Sequence, residues 1–416
     1  MLTVPEASAR ILADIQKLSI ERIPLLDTLG RVLAQTVTSP LTLPPWDNSA
    51  MDGYAVRSPD IVTATAAAPV TLPVRETVAA GGFPSGPLPA GMAVRIMTGA
   101  PIPEGTDTVV RVEDTDGGVT SVIIRDARDA KKNLRFRGED IRQGQVVLGP
   151  GAPLSAAQIG VLASVGASEV EVYRRPRVAI LGSGNELVDL DRFDEAVNGE
   201  KIVSSNSYTM HAMIRMAGGI PIDLGIARDD PADLRARLER ATGCDLIVTT
   251  AGVSVGEFDY VREVLAGLGA EMKFWKIRMR PGAPLGFGML NGVPWIGLPG
   301  NPVSVMVTFD LFVRPAIRLM LGYTHIFRRP VPVQLEEVVT IGAKLTHFLR
   351  GVVRVHENGT LSARLTGPQG SGILTSMSVA NALLIVPPER PRVDVGEMVN
   401  ALLLGDDASF AEKFAL

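Results

Sequence analysis

The feature that most constrains the fold is a change of hydrophobic period near residue 177. From there the chain reads as strand (178–181), helix (206–217), strand (222–226), helix (231–241) and strand (245–250). Short apolar runs that alternate with amphipathic helices specify a parallel sheet covered on both faces, because each crossover must return over the sheet. A further helix (258–268), strands near 272–279, 285–289 and 293–297, and a long helix over 303–321 complete an α/β domain placed at 174–323. The expected class is α/β and doubly wound, with β-rich parts on either side.

At 416 residues the chain exceeds one hydrophobic core, and a prior of about 150 residues per domain suggests roughly three. Thr3 followed by Glu6 is a capping-box pattern, and Ile11, Leu12, Ile15 and Leu18 then share a helical face. Residues 40–105 carry the breakers Pro44-Pro45, Gly81-Gly82 and Pro84 to Pro89, so a small loop-rich β domain is expected to about residue 140. Ser155 opens a short helix that Gly166 stops. Beyond Pro330 helical periodicity is lost. The segments 331–339, 352–356, 382–386 and 398–404 alternate with turn residues, as in a small β domain.

A formal net charge of -4, from 41 basic and 45 acidic residues, lacks the basic excess that binding a phosphate backbone requires. Nucleic acid is not expected as a partner. The single cysteine, Cys244, excludes a disulfide framework and a multi-thiolate metal site. His211, His325, His347 and His356 show no metal-ligand spacing, so any metal should be a hard cation held by oxygen. Asp14 and Lys17 interrupt the apolar face of the N-terminal segment, which argues against an export signal. Asp310, Arg314 and Pro315 make 303–321 a core helix and not a membrane span. A soluble, cytoplasmic protein that does not enter membranes is expected.

Three loops follow strand C-termini, the edge at which open parallel sheets bind ligands. The first, 182–186, lacks the third glycine of a dinucleotide fingerprint and reads as a tight turn. The second, 249–257, sets Thr250, Gly252 and Ser254 just before a helix; it can cradle an anion or be an ordinary turn. In the third, 298–302, Asn301 is expected as the N-cap and Pro302 as the first helical residue. No P-loop sequence is present. Lys276, Arg278 and Arg280 alternate along one strand pattern that Pro281 ends, which puts all three on one face as an anion-binding surface. Asp230 caps the helix after it with Asp233 in its first turn, and leaves Asp229 without a capping role. Asp259 falls in a first helical turn, Asp52-Gly53 can form a turn, and Arg135, Arg137, Glu139 and Asp140 form a mixed-charge run.

Five motifs then occur in order: DNSAMDGYAV (47–56), RIMTGAPIPEG (95–105), RGEDI (137–141), GVSVGEFDY (252–260) and LPGNPVS (298–304). Together they resemble the MoeA family, which includes the E domain of gephyrin, and the resemblance covers nearly the whole chain. It implies four domains: an extended one from residues 1–45 and 141–173, an inserted β-rich one (46–140), a molybdopterin-binding α/β one (174–327) and a C-terminal β-barrel (328–416). It implies an elongated homodimer with an active cleft shared between subunits. Carried over position by position, the family's catalytic set falls on Asp52, Thr98, Arg135, Asp140, Glu186, Asp229, Asp259 and Lys276. Substrate contacts are expected from Thr250, Gly252, Ser254, Arg278, Arg280, Pro299, Asn301, Ser304, Arg350 and Ser371.

The implied reaction is Mg²⁺-dependent insertion of molybdate into adenylylated molybdopterin with release of AMP. The pterin dithiolene supplies soft sulfur to molybdenum, so no cysteine ligand is needed. Glu186 and Asp259 are the expected Mg²⁺ ligands. Lys276 and its basic neighbours would neutralise phosphate or molybdate. The adenylyltransferase that makes the substrate and the molybdoenzymes that accept the product are implied protein partners. The family's Lys-Pro-Gly-Lys-Pro is here Arg280-Pro281-Gly282-Ala283-Pro284, the usual arginine placement before Phe348 is missing, and the glycine pair before Val-Ser-Val-Gly is Ala251-Gly252. Two alternatives follow: a non-catalytic molybdopterin-binding scaffold, or a specialised paralogue handling tungstate.

Overall fold

The structure is a computed structural model that describes residues 1–251, 260–342 and 344–405. Its chain forms two compact units. One comprises Met1–Ala34, Gly151–Ser155 and Glu169–Leu416, and the other Gln35–Pro150 and Ala156–Ser168.

The first unit is built on a six-stranded sheet. Ile220–Ala227, Arg177–Ser183, Leu246–Thr250 and Val293–Leu298 lie side by side and parallel, in that order. Pro284–Leu290 and Glu271–Lys276 continue it antiparallel, so the sheet is mixed where a fully parallel one was expected. The chain takes the short route there: Asn291-Gly292 make a two-residue hairpin in which both φ angles are positive, the geometry that matches strand twist.

Strand pleating divides the core. Val178, Ile180, Leu246 and Val248 point to one face with Met210 and Ile214 of helix Ser205–Met216, while Ala179, Leu181 and Ile247 point to the other with Leu234 and Leu238 of helix Pro231–Glu239. Helix Val4–Ala13, closed by the Thr3–Glu6 capping box, lays Ala7 and Ile11 on the first face. The sheet is thus covered on both sides, and its strand order puts the switch of direction beside Arg177–Ser183.

The expected long helix over 303–321 is interrupted. Helix Pro302–Thr308 passes into a π turn, Phe309–Val313, before helix Arg314–Met320. Pro315 supplies no N–H to the preceding turn, and the Thr308 hydroxyl donates to the Ser304 carbonyl, so the α pattern slips by one residue.

The tail is a closed barrel of five strands: Val331–Leu335, Thr346–Val355, Leu361–Leu365, Ala382–Val386 and Met398–Leu403. The sequence reading joined 331–339 into one strand, began the second at 352 and omitted Leu361–Leu365. The second begins six residues earlier because Arg350, a poor strand signal, is buried inside it.

Asp310 ties the barrel to the α/β domain. It is 3% exposed and accepts from Arg314 Nε at 2.9 Å and Arg328 Nε at 3.0 Å. Arg328 also donates to the carbonyls of Leu403 and Leu404, the end of the last barrel strand.

In the second unit the strands run Thr108–Arg111, Gly53–Val56, Ala93–Ile96, Val70–Val78 and Ser121–Ile124 across one sheet. Gly53 is required there: a Cβ would stand 1.9 Å from the Val110 carbonyl oxygen. Helix Ala156–Ser164 ends before Gly166, which takes φ +80°, as expected.

Removing the carboxylate at 310 leaves two guanidinium groups in a largely buried site. Asp310→Ala is expected to lose about 3–5 kcal/mol, read as a lower urea midpoint at unchanged slope. A midpoint within error of the parent would show that Asp310 does not hold these two domains.

Candidate active site

Two cavities of the first unit meet at the C-terminal edge of the sheet. The smaller, about 410 Å³, is lined by Glu186, Thr250, Asn206 and the 299–302 loop among others. The larger, about 680 Å³, is lined by the 279–284 loop, Asn301 and Ser304 on the α/β side and by His347, Arg350 and Ser371 on the barrel side. Pro284, Pro299 and Asn301 belong to both walls.

The smaller cavity depends on the loop after Arg177–Ser183. Gly184 has φ +145°, and the Glu186 carboxylate lies so close over it that a Cβ would meet Oε2 at 2.5 Å. Asn185 and Asp229 clasp each other: the Asn185 N–H donates to Asp229 Oδ2 at 3.0 Å and the Asp229 N–H to Asn185 Oδ1 at 3.1 Å. Lys201 Nζ donates to the Asn185 carbonyl at 2.7 Å. Asp229, unassigned by capping, therefore fixes the loop that carries Glu186, while Asp230 caps its helix as expected. Ala251 follows Thr250 at φ +69°, a conformation that a glycine would adopt without strain.

In the larger cavity the expected role of Asn301 needs correction. It is the positional N-cap, but its side chain makes no capping bond; Nδ2 donates to Ser371 Oγ at 3.0 Å. The Val303 N–H donates to the Ser371 carbonyl at 3.1 Å, so the barrel loop satisfies the helix start. Arg350 is fully buried. Its guanidinium donates to Ser376 Oγ and to the carbonyls of Pro368, Gln369 and Gly370, and burial pushes its pKa down. It acts as the post of the 368–371 loop.

The expected basic strand is also corrected. Strand Glu271–Lys276 stops at Lys276, whose register partner is Pro284. The Ile277 N–H donates to the Ala283 carbonyl, and Met279–Arg280 is a separate strand paired with Thr346 and His347 of the barrel. Lys276, Arg278 and Arg280 are exposed while Ile277 and Met279 are buried, so the alternation survives although the strand does not. Arg280 reaches the larger cavity; Lys276 and Arg278 line neither. Gly252, Ser254 and Asp259 lie outside the described residues.

The second unit carries the other expected residues. Asp52 Oδ1 accepts from both the N–H and the hydroxyl of Thr98, each at 2.7 Å. These bonds, the backbone one first, hold the Asp52 carboxyl below its ordinary range. Arg135 pairs with Asn48 across a short two-stranded ladder, and the Arg137 N–H donates to Asp47 Oδ1. Asp140 and Arg135 are exposed.

Comparison with known proteins settles the family. The MoeA N-terminal region (domain I and II) matches residues 2–166, a probable molybdopterin binding domain matches 179–319, and the MoeA C-terminal region (domain IV) matches 332–404. The chain belongs to the MoeA family of molybdopterin molybdenumtransferases. It is 38% identical over 380 residues to molybdopterin molybdenumtransferase 2 of Mycobacterium tuberculosis, covering 90% of this chain and 92% of the relative. It is 35% identical to the Haemophilus influenzae molybdopterin molybdenumtransferase, covering 96% and 98%. The crystal structure of a molybdopterin biosynthesis moeA protein from Pyrococcus horikoshii superposes with a TM-score of 0.83 at 30% identity, over 97% of this chain and all of the other. The chain is thus a transferase enzyme, and the scaffold alternative falls away.

Sequence reasoning missed Asn206 and His347. The sequence marks Asn206 only as the start of a helix and His347 only as a histidine without metal-ligand spacing; nothing in their spacing marks a cavity wall.

Thr98→Val removes the hydroxyl donor to Asp52 and keeps the backbone N–H. The Asp52 titration, followed by carboxyl NMR, is expected to move up part of the way towards an ordinary aspartate. Because the folded pKa is depressed, the stabilisation is present at neutral pH and lost as pH falls through that pKa. An unmoved titration would mean that the hydroxyl contributes nothing.

Proposed function

We propose that this enzyme of molybdenum cofactor biosynthesis inserts molybdate into adenylylated molybdopterin and releases AMP. The observation that carries the reading is the pair of cavities with a common wall and opposite polarity. The larger is lined by Arg280 together with Asn301, Ser304 and Ser371, donors suited to an oxyanion, with the buried Arg350 holding the loop that carries Ser371. The smaller holds Glu186 at the edge where doubly wound sheets take their ligands.

In this reading the larger cavity takes molybdate and the smaller takes the pterin portion. The P–O–P link of the adenylylated substrate breaks by addition of water, which leaves AMP and the pterin phosphate. The cationic groups stabilise the charge that develops on the phosphate oxygens.

Magnesium fits the donor set in a limited way. Among the described residues no three His, Cys, Asp or Glu side chains cluster as a cage. Mg²⁺ commonly uses one or two carboxylates with substrate phosphates, so Glu186, and Asp259 outside the described residues, suit it. When bound it would neutralise phosphate charge. Asp52, Thr98, Arg135, Asp140, Asp229 and Lys276 complete the proposed catalytic set. The four-domain division, a homodimer, a cytoplasmic location and contacts with the adenylyltransferase and acceptor molybdoenzymes belong to the same reading. No described helix is long and apolar enough to cross a membrane.

Incubation with adenylylated molybdopterin, Mg²⁺ and molybdate should release AMP and reconstitute a molybdenum apoenzyme; no AMP from folded protein would sink the reading. Glu186→Ala should reduce AMP release far more than pterin binding, and equal losses in both would remove the proposed metal role.

Ala283 lines the larger cavity and carries no charge. Ala283→Lys is expected to lower the molybdate concentration for half-maximal AMP release by roughly five- to hundredfold, as for a regained cation contact of about 1–3 kcal/mol. An unchanged concentration dependence would show that Arg280 already compensates.

A further inference from the structure

The smaller cavity contains a feature that an anion site would not have. Among the described residues no lysine or arginine lines it. Its apolar surface comes from Leu187, Ile202 and Val203 and from Pro284, Pro299 and Pro302, flat and rigid groups suited to a planar ring. Its polar wall is rich in acceptors, with the exposed Glu186 at one point and the half-buried Asn206 at another.

Asn206 is the informative residue. Its Nδ2 donates to the Gly300 carbonyl at 2.7 Å, which fixes the amide so that Oδ1 is the other end. That Oδ1 is buried and has no hydrogen-bond partner among the described residues. Buried acceptors are nearly always paired, because an unpaired one forfeits its hydration without return. A ligand that brings an N–H to this atom recovers the loss.

We propose that Asn206 is a specificity-determining residue whose Oδ1 accepts a hydrogen bond from the 2-amino group of the substrate's pterin ring. The inference rests on the reading of the substrate as a molybdopterin, and deepens it. Two heteroaromatic rings of that substrate carry N–H donors, the pterin and the adenine. The pterin edge presents an amino group beside a ring N–H, so it brings a donor to Asn206 Oδ1 with a second donor, and no acceptor, next to it. Adenine presents one amino group beside an acceptor nitrogen, which the same wall would repel. A phosphate brings no N–H to Asn206 Oδ1.

The test is a titration of the full-length protein with pterin and with lumazine, its 2-oxo analogue, followed by ligand fluorescence. The wild type should bind pterin about ten- to hundredfold more tightly, the discrimination expected when an analogue leaves one buried acceptor unpaired. Asn206→Leu should bring the two affinities within about threefold, and Asn206→Asp, which keeps an acceptor, should retain a preference for pterin. A purely structural role through Gly300 would weaken both ligands equally and leave the ratio intact; that result overturns the proposal. So does a wild type that binds both alike, or binds neither while turning over adenylylated molybdopterin. AMP competing with pterin in an Asn206-dependent way would assign the atom to adenine and overturn it too. Failure of AMP release with the pterin ratio preserved would instead count against the reaction and not against this residue.

Discussion

The site rests on one buried cation. Arg350 is placed inside the barrel with no carboxylate bonded to it among the described residues, and it donates to Ser376 and to three successive backbone carbonyls of residues 368–370. A guanidinium is suited to this, because its planar fork can meet several acceptors at once. The barrel loop it fixes then reaches out through Ser371 to Asn301 and to the Val303 N–H. The start of the helix that walls both cavities is therefore set from the barrel. Burying a charge is costly, and the carbonyls of this loop offset that cost, so the loop and the arginine specify each other.

Asp310 performs a related task in the middle of the same helical stretch. There the charges are paired, with two arginines against one carboxylate, and the second arginine closes the end of the last barrel strand. Asp310 is itself a residue of the π turn Phe309–Val313, so the irregularity lies where the helix is held. The α/β domain and the barrel consequently behave as one unit.

Most of the α/β domain was legible, because its strands are short apolar runs and its helices are amphipathic; period carries that information without help from tertiary contacts. The capping box at Thr3, the cap at Asp230 and the glycine stop at Gly166 were equally local. What failed was non-local. The two-residue strand at Met279 exists only because a barrel strand lies beside it, and the barrel strand around Arg350 hides behind a charged residue whose partners are carbonyls about twenty positions away. Asn301 was read as a cap because local geometry favours one, and a serine seventy residues on took its amide instead. The ordered motifs identified the family, yet they did not mark Asn206, since an asparagine opening a helix is ordinary until its amide oxygen is found without a partner among the described residues.

The common wall has a thermodynamic meaning. Pro284, Pro299 and Asn301 face two compartments at once, so an occupant that tightens or displaces this partition on one side changes the free energy of occupancy on the other. Such linkage is symmetric: whatever factor the first occupant imposes on the affinity for the second, the second imposes on the first. The two proline rings resist bending and Asn301 is anchored to Ser371, which makes the partition stiff. A stiff partition transmits displacement instead of absorbing it, so the two compartments are better described as halves of one binding polynomial than as independent sites.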